Sequence, residues 1–232
     1  MRLVLFDIDG TLVLTKGAGR RALGAALLRV YGTSGLIDGY DFRGKTDPRI
    51  VAELMSAAGL GPEAIHAGLG DCFEAYARGL VDEIGDGQCV TLLPGVADLV
   101  RRLDATEGVV LGLLTGNIEE GARIKLAPTG LWPYFRIGAF GSDDGDRRRL
   151  PSLAARRAQA LTGYGFRPEE VVVIGDTPLD IECARAFGAV AVAVATGFHP
   201  YAELEAEKPD LLFASFADVE AAATRLLARA GR

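Results

Sequence analysis

Short apolar runs that stop abruptly at polar or glycine residues recur along the chain: Leu3 to Phe6, Val109 to Leu114, Ile137 to Phe140, Val171 to Ile174, Val190 to Val194 and Leu211 to Phe213. They are too short for helices and rich in β-branched residues, the profile of strands buried on both faces. Helical spacing fills most of the intervals. The pattern predicts repeated βα units, and right-handed crossovers fold such units into an α/β, doubly wound, Rossmann-like parallel sheet.

One interval breaks the alternation. Between Thr15 and Gly87 the apolar residues keep helical spacing only, over Ala18 to Tyr31, Pro48 to Ala58 and Pro62 to Ile84, with Gly59, Gly61, Gly85 and Gly87 as punctuation. This predicts a smaller all-helical domain, residues 15–87, inserted after the first strand into a core made of 1–14 and 88–232. The chain is expected to return to the sheet near Val90. Hinges are expected at 14–17 and 85–90.

In an open parallel sheet the ligand crevice lies beyond the carboxyl ends of the strands, so the residues after each strand carry the chemistry. The first strand exits into Asp7-Ile8-Asp9-Gly10-Thr11, the second into Thr115-Gly116-Asn117, and the fourth into Gly175-Asp176-Thr177-Pro178-Leu179-Asp180. Any one of these reads equally well as a turn or a helix cap. Together they gather acids whose mutual repulsion, on the order of 4 kcal/mol per pair at 4 Å and an effective dielectric near 20, needs a counter-charge. A hard divalent cation with oxygen ligands meets that need, and Mg²⁺ suits a site with a few carboxylates and a substrate phosphate. Asp7 at the strand tip is then placed to attack phosphorus, and Asp9 to protonate the leaving alcohol and later to deprotonate water. The basic triplet Arg147, Arg148, Arg149 lies just beyond the third strand, where one side chain could reach Asp7 and a bound phosphate.

Composition narrows the partners. A net charge of -6 and a pI near 5.1 exclude an extended nucleic-acid footprint. Three cysteines without paired spacing indicate neither a disulfide framework nor a zinc site. No apolar stretch approaches a membrane span or a signal-peptide core. A soluble cytoplasmic protein, monomer or homodimer, acting on a small phosphorylated metabolite is expected.

"DIDGTL", "LLTGN" and "GDTPLD" resemble, in order, the first, second and fourth motifs of the haloacid dehalogenase superfamily of aspartate-nucleophile hydrolases. The resemblance implies that Asp7 is nucleophile and metal ligand, that Asp9 is acid/base and lends its carbonyl to Mg²⁺, and that Asp176 is the remaining protein ligand, supported by Asp180. It implies that Thr115, with the amides of Ile8, Gly116 and Asn117, holds the transferred phosphoryl group, and that Thr11 fixes the turn. The helical insert corresponds to the family's cap. Its "FRGKTDPRI" segment resembles phosphoglycolate-phosphatase-like members, making Arg43 and Lys45 candidates for the non-reacting part of the substrate.

The chain departs from the family at the third motif, where "DRRRLPSLA" stands in place of the usual lysine; Arg147 or Arg148 is the expected substitute. Asp9 argues against dehalogenation, which has no alcohol to protonate. A Mg²⁺-dependent phosphomonoesterase is the leading expectation, with a phosphomutase of the β-phosphoglucomutase type and a non-catalytic phosphate-binding protein as alternatives.

Overall fold

The structure is a computed structural model that describes residues 1–228. Six parallel strands form the main sheet: Arg2–Phe6 (β1), Val109–Thr115 (β4), Ile137–Phe140 (β5), Val171–Gly175 (β6), Val190–Val194 (β7) and Leu211–Phe213 (β8), in the spatial order β5-β4-β1-β6-β7-β8. All six agree with the expected strands to within a residue. The order reverses at β1, which pairs with β4 on one side and β6 on the other.

Alternation along β1 explains why Leu3 to Phe6 are apolar at every position. Val4 and Phe6 point into one buried cluster and Leu3 and Leu5 into a second on the opposite face. Each such side chain contributes about 1.5–3 kcal/mol on leaving water. Helices Val96–Asp104 (α4), Glu119–Leu126 (α5), Leu150–Thr162 (α6), Pro178–Phe187 (α7) and Tyr201–Ala206 (α8) lie between the strands of this α/β unit, and Val219–Leu227 (α9) follows the last of them.

The insert consists of Ala18–Tyr31 (α1), Asp47–Ala57 (α2) and Pro62–Ile84 (α3). Their apolar faces build a third cluster around Leu23, Leu27, Leu54, Tyr76 and Leu80, which receives Ile118 from the α/β unit. Thr46 caps α2 by accepting from the Arg49 amide, and Pro48 sits in its first turn, where its missing N–H costs nothing.

One expectation is corrected here. At Val90 the chain does not rejoin the main sheet: Thr91–Leu92 (β3) pairs antiparallel with Val13–Leu14 (β2) in a separate two-stranded ribbon. The ribbon clamps both ends of the insert to each other. Two-residue strands leave no periodicity to read. No helix among the described residues is long and apolar enough to cross a membrane.

Candidate active site

Register places the acids. Phe6 lies opposite Leu113 and Ile174, and the Asp7 amide donates to the Ile174 carbonyl at 2.9 Å, so Asp7 leaves the sheet level with the ends of both neighbours. Thr115 closes β4 and Asp176 follows β6 directly. Asp7, Asp176 and Asp180 are buried, and each offers an oxygen within 4.8 Å of the other two.

Arg147 is the cation among them. It sits on a short 3-10 turn, Arg147–Arg149, with Nη2 bonded to Asp180 Oδ1 and 3.0 Å from Asp7 Oδ1. The second contact is an ion pair without the alignment of a hydrogen bond, and Asp7 Oδ1 is buried with no hydrogen-bond partner. Burial pushes the Asp7 carboxyl up to about 6 against the pull of Arg147, and pushes Asp176 well above the usual carboxylate range, with Asp180 and Asp7 adding to it. Burial alone would lower the Arg147 pKa, but Asp180 and Asp7 outweigh it and the guanidinium stays charged. One arginine does not neutralise three buried carboxylates. The orphaned Asp7 oxygen and the all-oxygen donor set fit a hard divalent cation, so the cluster is capable of holding a metal.

Asp180 is already committed. Its Oδ2 accepts from the Thr177 amide at 3.0 Å and the Thr177 hydroxyl at 2.7 Å, closing a capping box at the start of α7, while Oδ1 holds Arg147. Both of its oxygens are thus engaged within the protein.

The turn after β1 requires a glycine. Gly10 has φ +83, and a Cβ there would stand 2.3 Å from Asp176 Oδ2. The turn closes through Gly10 N–H to the Val13 carbonyl and through Leu12 and Val13 N–H to the Ile8 carbonyl. Ile8 buries its side chain in the core, and Thr11 Oγ1 lies 3.4 Å from Asp176 Oδ1.

Asp9 lies in a second polar chain. Asn117 Nδ2 donates to Asp9 Oδ2 at 2.9 Å and to Thr115 Oγ1 at 2.8 Å, and Lys125 Nζ donates to Asp9 Oδ2 and Asn117 Oδ1, both at 2.6 Å. These groups share one cavity of about 720 Å³ with Asp7, Arg147 and Asp176.

The insert forms the opposite wall and is hydrogen-bonded down onto the core. Asp47 N–H donates to the Gly116 carbonyl at 2.7 Å, Asp47 Oδ2 accepts from the Ile118 amide at 2.8 Å, and Arg147 Nη1 donates to the Gly44 carbonyl at 3.1 Å. Gly116 is needed at this crossing, because a Cβ would stand 2.1 Å from the Lys45 carbonyl oxygen. Burial raises the Asp47 carboxyl to about 6, with Lys125 and the Ile118 amide pulling the other way.

The profile of the haloacid dehalogenase-like hydrolases matches residues 4–185, spanning β1, the insert and the exits of β4 and β6. The chain belongs to this family. The hydrolase is 30% identical to the phosphoglycolate phosphatase of Synechococcus elongatus, over 98% of this chain and 99% of that one. Among solved structures, a Pseudomonas syringae hydrolase superposes with a TM-score of 0.74 at 21% identity over 98% of this chain and 100% of that chain. The Rhodobacter sphaeroides CbbY structure in complex with phosphate does so with 0.72 at 22% identity, over 94% and 96%. Both share the fold.

Among the residues singled out from sequence, the hydrolase brings Asp7, Asp9, Thr115, Gly116, Asn117, Arg147 and Asp176 to one cavity, which Arg43 also lines. It does not bring Arg148 there: that side chain is 59% exposed and paired with Asp146. Lys45 lines a neighbouring cleft instead, and its ammonium is bonded to Glu53 at 2.8 Å and to the hydroxyl of Tyr40, a wall residue of this cavity, at 3.0 Å. Among the cavity residues that the sequence reading did not single out are Asp47 and Lys125. Asp47 looks like an ordinary first-turn acid. Lys125 carried a signal, because it shares a helix face with Ile118 and Ala122, seven and three residues earlier, and a lysine on an apolar face needs a reason.

Proposed function

We propose that the hydrolase is a Mg²⁺-dependent phosphatase acting on a small anionic phosphomonoester of the phosphoglycolate type, through an aspartyl-phosphate on Asp7. The observation that carries this reading is a buried Asp7 with one oxygen lacking a hydrogen bond, in the same cavity as Asp9, Thr115 and Arg147. The metal would be held by Asp7, Asp176 and the Asp9 carbonyl, with Asp180 in support. When bound, Mg²⁺ supplies the positive charge that lets these carboxylates and a phosphate share one pocket.

Asp7 attacks phosphorus while the P–O bond to the leaving alcohol breaks, and Asp9 gives that alcohol its proton. Asp9, now a carboxylate, takes a proton from water; the water oxygen attacks phosphorus, and the Asp7–phosphoryl bond breaks to release phosphate. Thr115, Arg147 and the amides of Ile8, Gly116 and Asn117 hold the phosphoryl oxygens, and Thr11 fixes the turn. The insert, residues 15–87, closes over the site and excludes bulk water. Arg43 would face the distal anionic group of the substrate, as the likeness to a phosphoglycolate phosphatase supports.

A panel of phosphoglycolate, sugar phosphates, sugar bisphosphates and nucleotides, assayed for phosphate release with Mg²⁺ and with chelator, tests this. Turnover that needs Mg²⁺ and disappears in D7N supports the reading. Turnover retained in D7N overturns it.

A further inference from the structure

Lys125 is 4% exposed, on the buried face of the eight-residue helix α5 beside Ala122 and Leu126. An ammonium taken out of water costs several kcal/mol unless its partners compensate. Its partners here are Asp9 Oδ2 and Asn117 Oδ1, both at 2.6 Å, with the Asp47 carboxylate of the insert adding Coulombic attraction. Asp9 itself is not sequestered: its side chain keeps 41% of its exposure while Lys125 keeps 6%. A fixed cation thus grips a carboxylate that could otherwise swing in the turn.

The second hold points the same way. Asn117 Nδ2 donates to Asp9 Oδ2, and Asn117 Oδ1 is in turn fixed by Lys125, so Asp9, Asn117 and Lys125 close a ring of three hydrogen bonds. The amide orientation that lets Nδ2 face both Asp9 and Thr115 follows from Oδ1 being taken by the ammonium. Helix α1 leaves space above: Gly19 has no Cβ where one would stand 3.4 Å from Nζ. Arg147 lies apart from this ring, on Asp7 and Asp180.

We propose that Lys125 is a positioning residue for the acid/base Asp9, so that positive charge in the site is divided between Arg147, serving the nucleophile, and Lys125, serving proton transfer. This rests on the phosphatase reading above. Lys125 holds one Asp9 oxygen, leaving the other to face the leaving alcohol and the hydrolytic water. Removing it lets the carboxylate leave its proton-transfer geometry without disturbing Asp7.

Leaving-group dependence is the readout. A p-nitrophenyl leaving group departs well as an anion, whereas an alkyl alkoxide needs the proton. In K125M, turnover of the alkyl phosphate that the wild type cleaves best is expected to fall about 100-fold or more, the scale of general acid catalysis. The first-turnover burst of p-nitrophenol, by contrast, should keep its rate within about fivefold and be followed by slow phosphoenzyme hydrolysis. K125R should recover part of the alkyl phosphate loss. Equal losses on both substrates, or no loss on either, would overturn the role of Lys125 and leave the phosphatase reading intact. Normal turnover by D7N would instead remove the phosphatase reading itself. Should K125M fail to fold, K125Q, which keeps a polar group on that helix face without the charge, tests the same hold on Asp9, with the same selective loss expected and a uniform loss counting against it.

Discussion

Arg147 Nη2 stands 3.0 Å from Asp7 Oδ1 while the same nitrogen is hydrogen-bonded to Asp180 Oδ1, so one buried guanidinium bridges the proposed nucleophile and the acid behind it. Removing it leaves three buried carboxylates facing one another. For R147M we expect a loss of about 3–5 kcal/mol in urea unfolding without metal, partly restored by Mg²⁺, since an uncompensated buried charge is the costly product of a broken pair. R148A should stay within about 0.5 kcal/mol and near wild-type activity, because that side chain is exposed. Equal effects of the two would refute the assignment of Arg147.

Gly10 and Asp176 give a second prediction. A methyl at residue 10 would overlap the Asp176 carboxylate, with Oδ2 at 2.3 Å, and force a side chain into left-handed backbone at φ +83. G10A should weaken Mg²⁺ binding, read by isothermal titration or by the Mg²⁺-induced rise in melting temperature, well beyond its effect on secondary structure by circular dichroism. An unchanged Mg²⁺ response would show that Asp176 is not held against this turn for the metal.

Asp47 predicts a pH signature. Burial raises its folded pKa to about 6 from 3.8, so the folded state favours the protonated acid. Stability from this group is present in full below pH 4 and is lost as pH rises through 6. The wild-type stability minus that of D47N should therefore fall by up to about 3 kcal/mol between pH 4 and pH 7, at 1.36 kcal/mol per unit. Urea titrations of both proteins across that range give the difference directly. A difference that rises with pH would reverse the sign of the assignment.

Arg43 and Lys45 are two residues apart and should behave differently. Arg43 lines the cavity that holds Asp7, and Lys45 directs its ammonium to Glu53. R43M should raise KM for an acidic phosphomonoester about 10-fold or more with kcat little changed, the value of a charge-assisted hydrogen bond. K45M should leave KM within about threefold. The opposite ranking would place substrate recognition in the neighbouring cleft.

Much of this site is legible in sequence because strand ends are local. Asp7, Thr115 and Asp176 each follow an apolar run, and a parallel sheet carries all such ends to one edge. The three helices of the insert read equally well, since α1 and α3 keep their apolar spacing from end to end. What is lost needs packing. Whether Arg147 or Arg148 enters the site depends on which faces Asp180 as the 3-10 turn packs on α7, and adjacent residues give no periodic cue. Asp47 meets Ile118 only after the insert folds back over the core, and Lys125 meets Asp9 only once β1 and β4 pair, long-range contacts that spacing along the chain does not encode. The β2–β3 ribbon is invisible for a simpler reason: two residues form no pattern.

The central claim is that Asp7 carries the phosphoryl group. Rapid quenching during turnover, followed by borohydride reduction and mass spectrometry of the peptide spanning residues 3–16, examines it at the residue itself, because reduction converts an aspartyl-phosphate to homoserine. Homoserine at residue 7, formed only when Mg²⁺ and substrate are both present, is the predicted result. An unmodified Asp7 in an enzyme turning over, at a quench time that traps an intermediate on another side chain, would contradict it.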